Sequence, residues 1–220
     1  MGTITRSLAN NITTSGVILP AGITNSSVSA VTSFSGVTGG GTLTLLSTQT
    51  ASASATISFT TGLDSTYDEY IFKFINVRPV TDNVKFTFNM STDSGSNYNV
   101  TKTTTMFSSA HDEGDTYTNL DYNTAEDLAQ STSFQPISTG NGNGADKSCS
   151  GTLTLFNPSS TTYVKHYIST LHSYHWEDLA FSWYSAGYGN TTSAVNAVRF
   201  QYSSGNIDDG IIKLYGVKKS

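Results

Sequence analysis

Two histidines close together near the end of the chain are the first residues that could do chemistry. His172 and His175 are followed by Glu177 and Asp178, and all four are ligand types for a transition metal. Residues three apart on a strand point to opposite faces, so the two imidazoles would converge only across a bend. No second ligand pair stands at a recognisable spacing. A polar loop is therefore the favoured interpretation, and no metal site or cofactor is predicted.

Acidic residues concentrate in the segment from His111 to Ala129, which holds six of the 16 Asp and Glu residues. The cluster His111–Asp115 contains oxygen ligands of the kind that calcium takes. It lacks the alternating carboxylates of an EF-hand loop, and a solvated loop is the favoured interpretation. The segment is predicted to be a surface excursion with one short helical turn near Thr124–Ala129.

The sequence contains no carboxylate pair and no nucleophile motif that would predict catalysis. Hydrolysis by two carboxylates needs one desolvated acid, whereas the acids here stand in turns such as Asp64 and Asp208–Asp209. No Gly-x-Ser-x-Gly motif occurs. Cys149 is the single cysteine, so an intrachain disulfide is excluded. The sequence predicts a protein that is not an enzyme, with no catalytic residues.

Aromatic residues cluster between positions 174 and 188. An exposed ring can stack on a sugar, and aromatic surfaces are also common in protein interfaces. Strand alternation sends some of these rings into the core, and a core or subunit-interface role is favoured over a glycan platform. The candidates for a glycan-binding or interface surface are Tyr174, Trp176, Trp183 and Tyr188.

Strands must position these residues, because apolar and polar positions alternate with period two from about residue 43 onward. Turn-rich segments separate the runs: Asp93–Asn97 is predicted to close a tight hairpin, and Gly140–Gly144 is predicted to be a mobile loop. So many short strands predict an all-β fold, an antiparallel β-sandwich that is jelly-roll-like. The residues predicted to face inward are Leu43, Leu45, Ala55, Ile57, Phe59, Tyr70, Phe72, Phe74, Val84, Phe86, Phe88, Met90, Leu153, Leu155, Val164, His166, Ile168, Val198, Phe200, Tyr202, Ile212 and Leu214.

The first 63 residues form a neutral leader whose only charged side chain is Arg6. It has neither the basic start nor the unbroken apolar run of a signal peptide. Spaced aliphatic residues in an uncharged strip suit a chain that lies along another protein. The predicted organisation is an extended N-terminal docking arm over residues 1–40 and a sandwich domain over residues 41–220. The docking residues of the arm are Leu8, Ile12, Val17, Ile18, Leu19 and Ile23.

Charge and polarity argue against two classes of partner, nucleic acids and membranes. The 220 residues carry a net charge of −5, and the only basic cluster is Lys218–Lys219. A surface that tracks phosphates needs concentrated positive charge, so nucleic-acid binding is not predicted. The leader is too polar to span a membrane, and no membrane partner is predicted. Stability is expected to come from the core and from oligomerisation.

Several segments together resemble a family of virion structural proteins of tailed phages, especially marine short-tailed phages of the cyanophage type. The similarity runs nearly from end to end. The segments that carry it are Gly2–Thr13 (GTITRSLANNIT), Gly62–Tyr70 (GLDSTYDEY), Ser91–Thr105 (STDSGSNYNVTKTTT), Asp127–Phe134 (DLAQSTSF), Thr154–Lys165 (TLFNPSSTTYVK), Ser204–Gly210 (SGNIDDG) and Ile212–Gly216 (IKLYG).

The resemblance implies a non-enzymatic protein of the phage particle surface, made in the host cytoplasm. The expected role is capsid decoration or a head or neck fibre, with the arm bound to capsid, neck or tail proteins. A homotrimer is the expected oligomer. The alternative is a tail-associated fibre or receptor-binding protein that recognises host surface glycans. The resemblance implies no catalytic residues.

Overall fold

The computed structural model describes residues 12–13, 16–17 and 43–217. The chain divides into two compact units, residues 1–40 and 41–220. In the first unit, β1 (Ile12–Thr13) pairs antiparallel with β2 (Gly16–Val17). The predicted docking residues Leu8, Ile18, Leu19 and Ile23 lie outside the described residues. The extended docking arm therefore stays a prediction.

The second unit consists of twelve strands in two antiparallel sheets, which confirms the predicted all-β sandwich. The large sheet has the order β3-β14-β5-β10-β11-β12-β7-β8, and the small sheet has the order β4-β13-β6-β9. The strands are β3 (Leu43–Thr50), β4 (Ile57–Phe59), β5 (Glu69–Pro79), β6 (Val84–Ser91), β7 (Lys102–Asp112), β8 (Thr118–Tyr122), β9 (Gln135–Asn141), β10 (Cys149–Phe156), β11 (Lys165–Tyr174), β12 (Leu179–Gly189), β13 (Ala197–Tyr202) and β14 (Ile207–Val217).

Nested strand pairs give the unit its jelly-roll-like character. The outer pair β5–β14 lies in the large sheet, the next pair β6–β13 lies in the small sheet, and the pair β7–β12 lies in the large sheet again. Two distant stretches of chain thus run side by side and cross between the sheets together. Strands β10 and β11 then fill the large sheet between β5 and β12.

Aromatic side chains from both sheets form the core between them. The Phe200 ring of the small sheet lies 5.1 Å from the Phe72 ring and 5.0 Å from the Phe74 ring of the large sheet, centroid to centroid. Phe59 and Phe86 add further edge contacts to the same cluster. Edge-to-face contacts of this kind stabilise a core beyond the area that they bury. The inward faces predicted for β5, β6, β13 and the second half of β14 are confirmed.

The prediction for β11 assigned the wrong set of alternate residues to the core face. Val164, His166 and Ile168 were expected to face inward, but the strand buries Tyr167 and Leu171 and leaves Ile168 55% exposed. Tyr167 packs against the Phe88 ring of the small sheet, and this contact requires the odd-numbered residues to face the core.

The inward assignment of three residues near the start of the second unit is also wrong. Leu43 and Leu45 are 40% and 51% exposed on β3, an edge strand of the large sheet, and Ala55 is exposed in the loop before β4. The small sheet has only four strands and the large sheet has eight. Apolar positions on the wider sheet can therefore lie beyond the shared core.

The hairpin prediction is wrong: Asp93–Asn97 connects β6 of the small sheet to β7 of the large sheet. The loop predicted at Gly140–Gly144 begins at Gly142 in the structure, because β9 continues through Asn141. Gly140 lies buried in β9 at a φ of 61°, and a Cβ there would stand 1.9 Å from His175 Nε2. A local turn motif does not reveal which sheet the next strand joins.

The acidic excursion is largely regular structure. Strand β7 continues through Asp112 and pairs with β8, and residues 124–126 form a turn. No helix occurs among the described residues, so the predicted helical turn near Thr124–Ala129 is wrong.

Candidate functional site

The large sheet turns one face away from the small sheet, and three adjacent strands furnish it with aromatic and hydroxyl side chains. We call this surface the outer groove. It consists of the alternate residues 103–111 of β7, 166–174 of β11 and 180–188 of β12. The intervening residues of these strands face the core. The register aligns the outer residues in rows across the three strands.

Two stacked rings lie in the middle of the outer groove. Phe107 of β7 and Tyr184 of β12 are paired in register, with ring centroids 4.9 Å apart and planes 10° from parallel. They are 43% and 38% exposed. With Thr170 opposite Tyr184 on β11, they line a pocket of about 210 Å³. Apolar ring surface and hydroxyl groups are therefore offered at one place.

A larger pocket of about 490 Å³ follows at the end of the groove where β7 and β11 begin. Ile168, Ala186 and Thr105 form one row across the three strands, and this row lines both this pocket and the pocket of about 210 Å³. Beyond that row, the rings of His166 and Tyr188 lie 6.3 Å apart, centroid to centroid. The small side chain of Ala186 between larger neighbours makes this part of the surface concave.

The opposite end of the groove is polar, with a pocket of about 340 Å³ that contains His111, His172 and Tyr174. The Tyr174 hydroxyl donates to Glu113 Oε1 at 3.1 Å, and this hydrogen bond raises the pKa of Tyr174 to about 12. Lys147 Nζ donates to Asp178 and lowers the pKa of that carboxyl. Lys147 thus favours the ionised form of Asp178.

The four predicted aromatic candidates separate into three environments. Tyr174 and Tyr188 lie in the outer groove. Trp176 lies in the loop after β11, is 38% exposed and has its ring 5.9 Å from His175. Trp183 is buried, stacked on Phe181 at 4.8 Å, and its Nε1 donates to Ser173 Oγ. Its indole does not reach the surface and cannot stack on a ligand there.

The residues considered for metal or nucleophilic chemistry do not converge. His172 points into the groove, whereas His175 is buried at its side, and desolvation lowers the pKa of His175. Within residues 43–217, no group of three His, Cys, Asp or Glu side chains could hold a metal ion. Burial raises the pKa of the Cys149 thiol to about 12, which makes it unreactive near neutral pH.

Two buried lysines were not foreseen from the sequence. Lys102 and Lys165 begin β7 and β11, and both are 0% exposed. Lys102 Nζ donates to Asn89 Oδ1 at 2.6 Å and to the Val100 carbonyl at 2.8 Å. Burial lowers the pKa of Lys102 to about 7. Fully buried lysines are rare, and the alternating pattern contains no signal for them.

Two apolar residues of the groove, Phe107 and Ile168, were also missed as surface residues. Phe107 and Ile168 are apolar residues on strands, which usually marks a core position. The exposed Thr103–Thr105–Phe107 alternation on β7 was the available signal, since it places apolar and hydroxyl groups on one face.

Comparison with protein-family models, with curated proteins and with solved structures gives no match to the chain. No helix in the described part of the chain is long and apolar enough to cross a membrane.

Proposed function

We propose that this chain is a non-enzymatic structural protein of a bacteriophage virion, exposed on the particle surface and anchored through its N-terminal arm. The observation that carries the proposal is the contrast between residues 1–40, whose single charged side chain is Arg6, and the well-packed β-sandwich that begins with β3. The motif resemblance to tailed-phage virion proteins supports the same assignment. Capsid decoration or a head or neck fibre is the proposed role.

An uncharged arm suits attachment to capsid, neck or tail proteins. Few charged groups are desolvated when such a strip is buried, so its binding should resist salt. An extended segment can add main-chain hydrogen bonds to a sheet edge while its aliphatic residues fill shallow pockets. Many copies on one particle then need only modest affinity for each contact.

An apolar patch on the large sheet supports self-association into the proposed trimer. Leu45, Tyr215 and Ile71 are in register across β3, β14 and β5. Leu43, Leu45 and Ile75 are 40%, 51% and 37% exposed. The Lys213–Lys73 row separates Ile75 from the Leu45–Tyr215–Ile71 row. An exposed apolar patch bordered by polar residues is typical of a contact surface between subunits.

Deletion of residues 2–38 tests the anchoring role. The truncated protein should stay folded and soluble but should no longer join particles, because the docking strip is gone. A matched pair of full-length variants refines the test. Serine at Ile12, Val17, Ile18 and Leu19 should abolish incorporation, whereas serine at Asn10, Asn11, Thr13 and Thr14 should preserve it. Normal occupancy of the truncated protein on particles would refute the arm.

A second candidate is a tail-associated fibre or receptor-binding protein that recognises host glycans, and the outer groove favours it. Electron cryomicroscopy of intact particles distinguishes the two roles. Density on shell facets or vertices would support decoration. Density confined to the tail tip or fibres would support receptor binding.

A further inference from the structure

The outer groove has the dimensions of a site for a slender polymer. Outer residues of β7 run from Thr103 to His111, eight residue steps, which corresponds to roughly 26 Å along the strand. Along this path lie pockets of about 490, 210 and 340 Å³. Two of these volumes fall within the usual range for ligand sites. The pockets follow the strand direction, so one extended ligand can contact all three.

The outer positions of the groove are occupied by hydroxyl, aromatic, imidazole and small apolar side chains. None of its fifteen outer positions is Lys, Arg, Asp or Glu; they are Thr, Ser, Ala, Ile, Phe, Tyr and His. Carboxylates occur at the polar end, where Asp112, Glu113 and Asp178 border the pocket. No Lys or Arg occupies an outer position to neutralise an anionic ligand, and the acids would repel one.

Hydroxyl groups in the groove are free to bind a ligand. The side chains of Thr170, Ser182 and Tyr184 make no hydrogen bond with the residues that the structure describes. They alternate with the apolar surfaces of Ile168 and Phe107. A hexose has the matching chemistry, since its ring has apolar faces and its rim carries hydroxyls, and aromatic side chains pack on such faces.

A second copy of the chain fits this surface less well. Protein interfaces are close-packed, and serine is depleted in them. A flat partner sheet would leave the concave pockets empty and the free hydroxyls unpaired, which is costly.

We infer that the outer groove binds a linear, uncharged polysaccharide, with sugar rings packed on the Phe107–Tyr184 pair and in the pocket between His166 and Tyr188. This rests on the second candidate function, glycan recognition, and names its site and ligand class. It does not rest on the anchoring arm, because residues 102–189 contain the complete groove. The hydroxyl and imidazole groups orient the sugars, and the polar end selects against acidic chains.

The test is binding of the full-length protein to an array of neutral oligosaccharides of about four to six hexose units, with sulfated and sialylated counterparts beside them. Neutral chains should bind and their acidic counterparts should bind less. Tyr184→Ala and Phe107→Ala should each weaken binding by about tenfold or more. The matched control is Tyr163→Ala, which removes a 69% exposed tyrosine outside the groove and should leave binding unchanged.

Thermal unfolding and light scattering of each variant complete the design. A normal unfolding temperature shows that lost binding reflects the groove. Absence of binding to every neutral oligosaccharide would overturn the inference, as would equal binding by wild type and Tyr184→Ala. Dissociation of an oligomer by Tyr184→Ala would also overturn it and would identify the groove as a subunit interface. None of these results bears on arm-dependent incorporation into particles.

Discussion

Replacement of Lys102 by methionine should abolish a rise in stability between about pH 7 and about pH 8.5. The Lys102 ammonium is buried, and its hydrogen-bond partners are the neutral groups Asn89 Oδ1 and Val100 O. Because no carboxylate bonds to it, desolvation is the cause that lowers its pKa from 10.5 to about 7. Methionine keeps the unbranched shape without a charge.

The sign follows from proton linkage. Between the two pKa values the unfolded chain keeps the lysine proton, whereas the folded chain releases it as the pH rises through about 7. The unfolded state then binds more protons, so the free energy of unfolding increases with pH. At 1.36 kcal/mol per pKa unit, the gain from pH 7 to pH 8.5 is about 1.6 kcal/mol.

Cys149 opposes this trend slightly. Burial raises the pKa of its thiol in the folded chain, while the unfolded thiol ionises near 9. This costs about 0.2 kcal/mol by pH 8.5. The cost is the same in the Lys102→Met variant, so it cancels in the difference between the two proteins.

Urea unfolding at several pH values, followed by the fluorescence of buried Trp183, measures the effect. The difference in unfolding free energy between wild type and Lys102→Met should change by about 1.6 kcal/mol across this range. The matched control is Lys213→Met, on the outer face of β14. The unfolding free energy of this variant should change with pH in the same way as that of wild type. Parallel curves for Lys102→Met and wild type would refute the reasoning, since Lys102 would then keep its proton in the folded state.

Two further pairs of substitutions test the packing by urea unfolding. Tyr98 has a buried hydroxyl without a hydrogen-bond partner in the described structure, so Tyr98→Phe should raise stability by about 1 kcal/mol. Tyr202→Phe should lower stability by about 1 kcal/mol, because the Tyr202 hydroxyl donates to the Val77 carbonyl. A loss of stability in both variants would contradict the assignment of the Tyr98 hydroxyl as unpaired. On β11, Ile168→Ser should change stability by less than about 0.5 kcal/mol, whereas Leu171→Ala should cost about 2–5 kcal/mol. Similar losses at Ile168 and Leu171 would argue against the observed strand phase.

The fold class was predictable because most strands contain an unambiguous alternation. In β5 and β6 the aromatic residues fall on one parity only, as with Phe72, Phe74, Phe86 and Phe88, so one face had to be buried. The sheet partners were not predictable. Alternation identifies the buried face of a strand, but it contains no information on the neighbouring strand.

The candidate site was less predictable, because β11 is compatible with two phases. Tyr167 and Leu171 are apolar on one parity, and His166 and Ile168 suggested the other. Contact with Phe88 across the sandwich decides between them, and that contact is a property of the whole fold. Trp183 and Lys102 illustrate the same limit. Trp183 was a candidate for a glycan-binding or interface surface, no sequence pattern singled out Lys102, and the packing buries both.

The pairing of β3 with β14 has a mechanical consequence. Leu43, where β3 begins, is directly opposite Val217, where β14 ends, so chain enters and leaves this unit at neighbouring positions. A force that pulls these two points apart breaks the backbone hydrogen bonds between β3 and β14 one after another, beginning at Leu43 and Val217. A force applied along the strands would load all of these bonds at once. The unit should therefore yield easily when it is stretched between residues 43 and 217.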